Sequence, residues 1–247
     1  MVMKLIVFDW KGPMGHFRKL DTNSSSLSYS FPSRITIIGM IAGVLGYERD
    51  SYYELFSNDK CQIGLSVRTP IRKLFQTVNY LFVKNKSDLN GINGHTQIPI
   101  EFLFPPLEGS QIVYRLYFWH ENKDIYESLK NHLKMKTFVY PPYMGLSELL
   151  SSLDFVKEVE VQKIHPNTDK VKFDSVVRIS EMQEHSLELL PSSRFLKEFM
   201  TRSFDKERKI IETDSYLMEQ NNQIIGILKV PYYQLAYDGK TENISFM

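Results

Sequence analysis

The 247-residue chain contains a single cysteine, Cys61. One cysteine excludes a disulfide framework and every multi-cysteine zinc site, and fits a reducing compartment. Long apolar runs are also missing. Leu5 to Phe8 is far shorter than the hydrophobic region of a signal peptide, and Ile35 to Leu45 is too short to span a bilayer. The expectation is a soluble, cytoplasmic protein without membrane contact. Nucleotide fingerprints are absent: no G-x-x-x-x-G-K-[ST] and no G-x-G-x-x-G occurs. No H-E-x-x-H is present, and His185 with Glu188 forms only an isolated pair, so neither a metal nor another cofactor is expected.

The charge balance carries little sign overall, a formal +1, but it is unevenly distributed. Residues 1 to 100 hold 12 Lys/Arg against 7 Asp/Glu, and the remaining 147 hold 18 against 22. Between Lys60 and Lys86 there are six basic residues and no acid, interleaved with Phe75, Tyr80 and Phe82. Such a segment suits phosphate neutralisation and base stacking; a solvated strand face is the plainer reading.

The elements read in order. "KLIVFDW" (4–10) is a buried strand ended by Gly12-Pro13, and "SRITIIGMIAGVL" (33–45) is a helix with Ser33 as N-cap and Gly46 as its stop. Its Gly39 and Gly43 would let it lie close on a sheet. "CQIGLSVRT" and "SQIVYRLYFW" are further strands, "KDIYESLKNHLK" is an amphipathic helix, and "TFVY" (137–140) is a short fourth strand. This β-α-β-β-α-β order predicts an α+β, ferredoxin-like or RRM-like palm over residues 1–145. The long connection at about 70–107 reads as a projecting β-hairpin thumb, turning at Lys84 to Gly94 and offering an apolar arm, Ile98 to Pro106, to solvent. Residues 146–247 read as a β-rich appendage that opens with a short helix, "LSELLSSL", and includes a hairpin turn at Asn221-Asn222.

"KGPMGHFRK", "YSFPSRITIIGMIAGVLG", "HTQIPIEFL" and "YMGLSELL" together resemble the fifth CRISPR-associated (Cas five) family of the RAMP superfamily, over about residues 1 to 155. The C-terminal region resembles the β appendage of its type I-B (Hmari/Tneap-like) members. The resemblance implies a subunit of a type I Cascade surveillance complex. Such a subunit grips the five-prime handle of the CRISPR RNA, contacts the backbone and large subunits, and meets target DNA only through the complex.

Candidate RNA-binding residues follow from the loop chemistry. Lys11, Gly12, Gly15, His16, Phe17, Arg18 and Lys19 form a glycine-containing loop whose freed N–H groups suit phosphate oxygens. Tyr29, Ser33 and Arg34 lie at a helix N-terminus, a natural anion site, although Ser33 as a cap and Tyr29 as a packing residue are equally open. Arg68, Arg72 and Lys73 enter the thumb. His95, Thr96 and Gln97 sit on its return arm, where they either read base edges or close the hairpin. Type I-C relatives cleave repeat RNA without metal, and His16, Tyr29 and Lys73 are available as acid or base. Their Tyr-Lys-His set does not map onto matched positions here, so no catalytic role is expected.

Overall fold

The computed structural model describes residues 3–22, 25–107, 109–191 and 193–247. Ser24, part of a short serine run in the sequence, lies outside them. Strand β1 (Lys4–Gly12) alternates strictly: Ile6, Phe8 and Trp10 enter one core, while Leu5 and Val7 enter a second on the opposite face. Two short strands follow, β2 (Phe17–Arg18) and β3 (Ser28–Tyr29), paired with each other. Helix α1 (Arg34–Leu45) starts at Ser33, whose Oγ accepts from Thr36 N, and ends at Gly46 with φ 80°. Its interior is apolar all round, and Ile37, Ile38, Ile41 and Val44 are buried. Gly39 and Gly43 do not lie on the sheet; they are half-exposed, with Tyr52 and Tyr140 as their nearest neighbours.

Strands β4 (Cys61–Val67) and β7 (Ile112–His120) bracket the thumb, whose arms are β5 (Arg72–Leu81) and β6 (His95–Phe104). Helix α2 (Lys123–Met135) is capped by Asn122 and buries Ile125, Leu129 and Leu133 at helical spacing. The next strand is not "TFVY". Residues 137–140 instead run across the end of α1, where Val139 N donates to Val44 O and Tyr140 N to Gly43 O, a carbonyl that also accepts from the cap residue Gly46. The strand that follows α2 is β8 (Ser152–Ile164), which pairs antiparallel with β1.

No helix forms at 146–153 either. Met144 N donates to Leu149 O and Ser151 N to Pro142 O, closing a tight loop around Gly145, whose φ is 93°. A side chain there is impossible: a Cβ on Gly145 would stand 1.6 Å from His16 O. The leucine spacing in this segment reflects anchoring of Leu149, not a helical face.

The remaining strands are β9 (Val171–Phe173), β10 (Val177–Arg178), β11 (Phe195–Phe204), β12 (Ile210–Glu219), β13 (Ile224–Gly226), β14 (Tyr232–Tyr237) and β15 (Lys240–Ile244). The Asn221-Asn222 turn is present, with Asn222 at φ 54°, but β13 pairs with β9 instead of folding back on β12. The main sheet has the order β15-β14-β8-β1-β7-β4, with every adjacent pair antiparallel. It therefore crosses the expected boundary at residue 145 without a break.

The sheet also curls. Met247 N donates to Ile63 O and Val176 N to Leu65 O, so the outer edge of β4 is covered by the chain's last residues and by the segment after β9. Inside the curl, Leu5, Val7, Tyr117, Val159, Val161, Leu235, Tyr237 and Ile244 form a buried core. The sheet face opposite the helices is thus filled by protein. Among the described residues no helix is long and apolar enough to cross a membrane.

Candidate nucleic-acid interface

The glycine-containing loop is folded inward. Gly15 exchanges both backbone hydrogen bonds with Leu103 on the thumb, at 3.0 and 2.8 Å, and His16 N donates to Met144 O at 2.9 Å. These N–H groups are not free for a phosphate, contrary to the sequence expectation. At Gly12 a Cβ would stand 3.0 Å from Met144 Sδ, so a side chain there would crowd the Met144 thioether instead of opening space for a phosphate. Lys11 belongs to β1 and pairs with Asp154 at 3.1 Å. Phe17 is buried edge-on against Trp10 and Tyr114.

His16 is only 2% exposed. The Glu101 carbonyl can only accept, so Nδ1 carries the proton and donates to it at 2.8 Å, and Nε2 accepts from the Ser26 hydroxyl at 2.9 Å. Burial lowers its pKa, outweighing the opposing Glu101 carbonyl. His16 is a neutral structural histidine here.

Below the loop sits a four-charge clamp. Glu198 on β11 accepts from Lys19 Nζ at 2.6 Å and from Ser30 N and Oγ at 3.1 and 2.9 Å. Lys73 Nζ donates to Ser28 O at 2.6 Å and to Glu101 at 3.2 Å, and stands 3.8 Å from Glu198. Two ammoniums facing two buried carboxylates tie the loop, the thumb base and β11 together. Lys19 and Lys73 are therefore already paired, and neither is a free cation.

Several other expected contacts are likewise internal. Arg34 is 1% exposed; its Nη2 donates to Phe56 O at 3.0 Å and Cys61 O at 2.8 Å, holding the turn before β4. Desolvation lowers its pKa. Arg68 pairs with Glu242 and donates to Tyr117 Oη at 2.8 Å, inside the curl of the sheet. Burial alone would raise the Glu242 pKa, but Arg68 and the hydroxyls of Tyr237 and Tyr117 outweigh it and hold the carboxyl below its ordinary value. Ser33 caps α1, and Tyr29 is mostly buried beside Lys19 Nζ, which lies 5.2 Å from its ring centre. The residues that stay at the surface are Arg18, Arg72, His95 and Gln97, together with Lys73, which is exposed although its ammonium is paired, and with Thr96 half-buried.

The open surface beside the clamp is a cleft of about 390 Å³ lined by Lys19, Leu20, Tyr29, Lys197, Phe199 and Ile210, among others. Leu20 is 61% and Phe199 63% exposed, and Lys197 is exposed. The alternation of β11 produces this: Glu198 and Met200 point in, while Lys197 and Phe199 point out. An exposed aromatic ring beside an unburied cation offers stacking for a base and a counter-charge for a phosphate. Lys197 and Phe199 were not apparent from the sequence because "SRFLKEFMTRSF" was not recognised as a strand. Burial alternates from Lys197 to Met200, but the sequence there runs Lys-Glu-Phe-Met, two charged then two apolar residues, so no periodic signal marked the strand.

The thumb corrects a further expectation. On β6, Ile100, Phe102 and Leu103 are buried against the palm. The apolar surface open to solvent lies on β5 and the tip instead, including Leu74, Phe75, Leu81, Val83 and Ile92.

No family model and no curated protein matches the sequence. Solved structures do match the fold. A CRISPR protein from Archaeoglobus fulgidus is similar over 99% of this chain and 100% of its own, with a TM-score of 0.58 at 15% identity. A chain of a CRISPR RNA-guided surveillance complex is similar over 92% of this chain and 91% of its own, with a TM-score of 0.50 at 12% identity. A chain of the type III-B Cmr-beta complex bound to cognate target RNA and AMPPnP gives a TM-score of 0.52 at 12% identity, covering 90% of this chain and 86% of its own. The fold is thus one found among CRISPR-associated proteins, over nearly the whole chain.

Proposed function

We propose that the protein is a non-catalytic, RNA-binding subunit of a CRISPR effector complex. The observation that carries this reading is the end-to-end fold likeness to a CRISPR protein, which leaves no part of either chain unmatched beyond 1%. In finer detail, the motifs of the first 155 residues support a Cas five assignment of type I-B kind, in a RAMP palm of RRM-like ancestry. The chain would cap the five-prime handle of the CRISPR RNA in the cytoplasm, beside the backbone and large subunits, with target DNA reached through the complex.

In this reading the RNA does not use the sheet face opposite the helices, because that face is filled by the curl of the sheet. Single-stranded RNA instead follows the cleft of Lys197, Phe199 and Leu20, past exposed Arg18 and towards Arg72 at the thumb base. The clamp of Lys19, Lys73, Glu101 and Glu198 shapes this path without spending its own charges on phosphate.

Cleavage of repeat RNA is the second reading. It would need His16, Tyr29 or Lys73 as acid or base, and all three are engaged by protein partners or buried. The test incubates purified protein with repeat RNA in EDTA. Intact RNA is expected; specific cleavage lost in His16→Ala or Tyr29→Phe would replace the binding reading by the enzymatic one.

A further inference from the structure

The thumb hairpin has one held edge and one open edge. Leu103 and Gly15 exchange backbone bonds, Glu101 N donates to Ser26 O, and Ser26 N donates to Pro99 O. Residues 99, 101 and 103 of β6 therefore direct their backbone groups away from β5. Pro99, which has no N–H, falls at one of these positions, where the hairpin ladder loses nothing.

The register then fixes the other strand. Lys73 lies opposite Leu103, Phe75 opposite Glu101 and Thr77 opposite Pro99. In an antiparallel pair, residues opposite each other at a non-bonded position both point outward. So the N–H and C=O groups of Lys73, Phe75, Thr77, Asn79 and Leu81 face away from β6. The bond from Phe82 N to Gly94 O, at an even-numbered pair, agrees with this phase. Among the described residues these outward groups have no backbone partner; Thr77 O accepts a local bond from the Gln76 side chain at 3.2 Å.

An open edge is usually blunted by charge, proline or a bulge. Here none of these is present from Leu74 to Val83: the ten residues include no charged residue, no proline and no glycine, and the β5–β6 register runs without a shift. Phe75 is 57% exposed on this strand. The lack of charge also decides the occupant. Apart from Lys73, whose ammonium is taken up by Ser28 O and Glu101, the stretch has no cation to neutralise phosphates and so does not suit RNA, whereas outward backbone pairs flanked by apolar side chains suit a β-strand.

We infer that the outer edge of β5 is a docking strand that pairs with an extended, largely apolar strand of an adjacent protein subunit, through the backbone groups of Lys73, Phe75, Thr77, Asn79 and Leu81. This rests on the proposed place in an effector complex, and it adds the mode of attachment.

The experiment measures amide hydrogen exchange in the isolated chain, in the chain with CRISPR RNA alone, and in the complex formed by co-expression with its neighbouring CRISPR subunits. Expected is at least tenfold slowing at residues 75, 77, 79 and 81 only when the protein partners are present. Thr77→Pro removes one outward donor and should weaken assembly at least tenfold. The inward amides of Leu74, Gln76, Val78 and Tyr80 should stay protected as in the parent, showing that the hairpin is intact. A complex that holds RNA while the odd amides exchange at their free rate overturns the inference and leaves the proposed function standing. Slowing by RNA alone, or by self-association of the isolated chain, also overturns it. If neither partners nor RNA are retained, the function and the inference fall together.

Discussion

Replacing Glu198 by alanine tests the clamp. In the native fold its carboxylate faces Lys19 Nζ at 2.6 Å and accepts two bonds from Ser30. Removing one partner of a buried ion pair typically costs about 3–5 kcal/mol. The figure is lower here: the Lys19 side chain keeps 25% exposure, and Lys73 retains Glu101. About 2–3 kcal/mol is expected, which for a chain of this size lowers Tm by roughly 5–10 °C. Glu198→Gln keeps an acceptor for Ser30 but loses the charge, so its effect should be about half as large. Lys197→Ala on the same strand, with its side chain outward, should move Tm by no more than about 1 °C. Scanning calorimetry on the three variants is sufficient. If Glu198→Ala melts with the parent, the charges do not tie loop, thumb and β11 together, and the account of the clamp is wrong.

Gly145→Ala should be worse than Glu198→Ala, because its Cβ would fall 1.6 Å from His16 O at a φ of 93°; a soluble variant with an unchanged melt would contradict the packing. His16 and His120 both have pKa values lowered chiefly by burial, so the unfolded chain takes up their protons first, near the ordinary 6.5. Their contribution is present above that pH and lost as the pH falls below it; Tm should drop from pH 7.5 to 5.5, less steeply in His16→Gln if that variant folds. Phe199→Ala should weaken RNA retention by about five- to a hundredfold, the range of one lost stacking contact. Lys197→Ala should lower the salt slope by roughly 0.7 for one phosphate contact, and unchanged retention and slope in both would move the RNA elsewhere.

The sequence was most informative where a local rule met a local structure. Ser33 and Gly46 mark the ends of α1 because capping chemistry is set by adjacent residues. The strands around the thumb and the turn near Lys84 to Gly94 were equally legible. What failed depended on distant partners. Residues 137–140 have strand chemistry, yet they satisfy the carbonyls of α1, a demand invisible in the segment itself. The site suffered most. Gly12, Gly15 and His16 look like a phosphate loop, but Met144 and Leu103, more than eighty residues away, take up their space and their bonds. Basic residues such as Lys19, Lys73 and Arg68 read as free charge because Glu198, Glu101 and Glu242 are remote in sequence. Lys197 and Phe199 were hidden for the opposite reason, lying in a half of the chain where the net charge is acidic.

The most direct test of the proposed function is to co-purify the tagged chain with its neighbouring CRISPR subunits and sequence the bound RNA, with a Lys197→Ala/Phe199→Ala double variant alongside. The account predicts RNA of uniform five-prime end derived from the CRISPR repeat in the parent complex, and loss of that RNA in the double variant at moderate salt. Random cellular RNA, no RNA, or equal retention by the variant would contradict it.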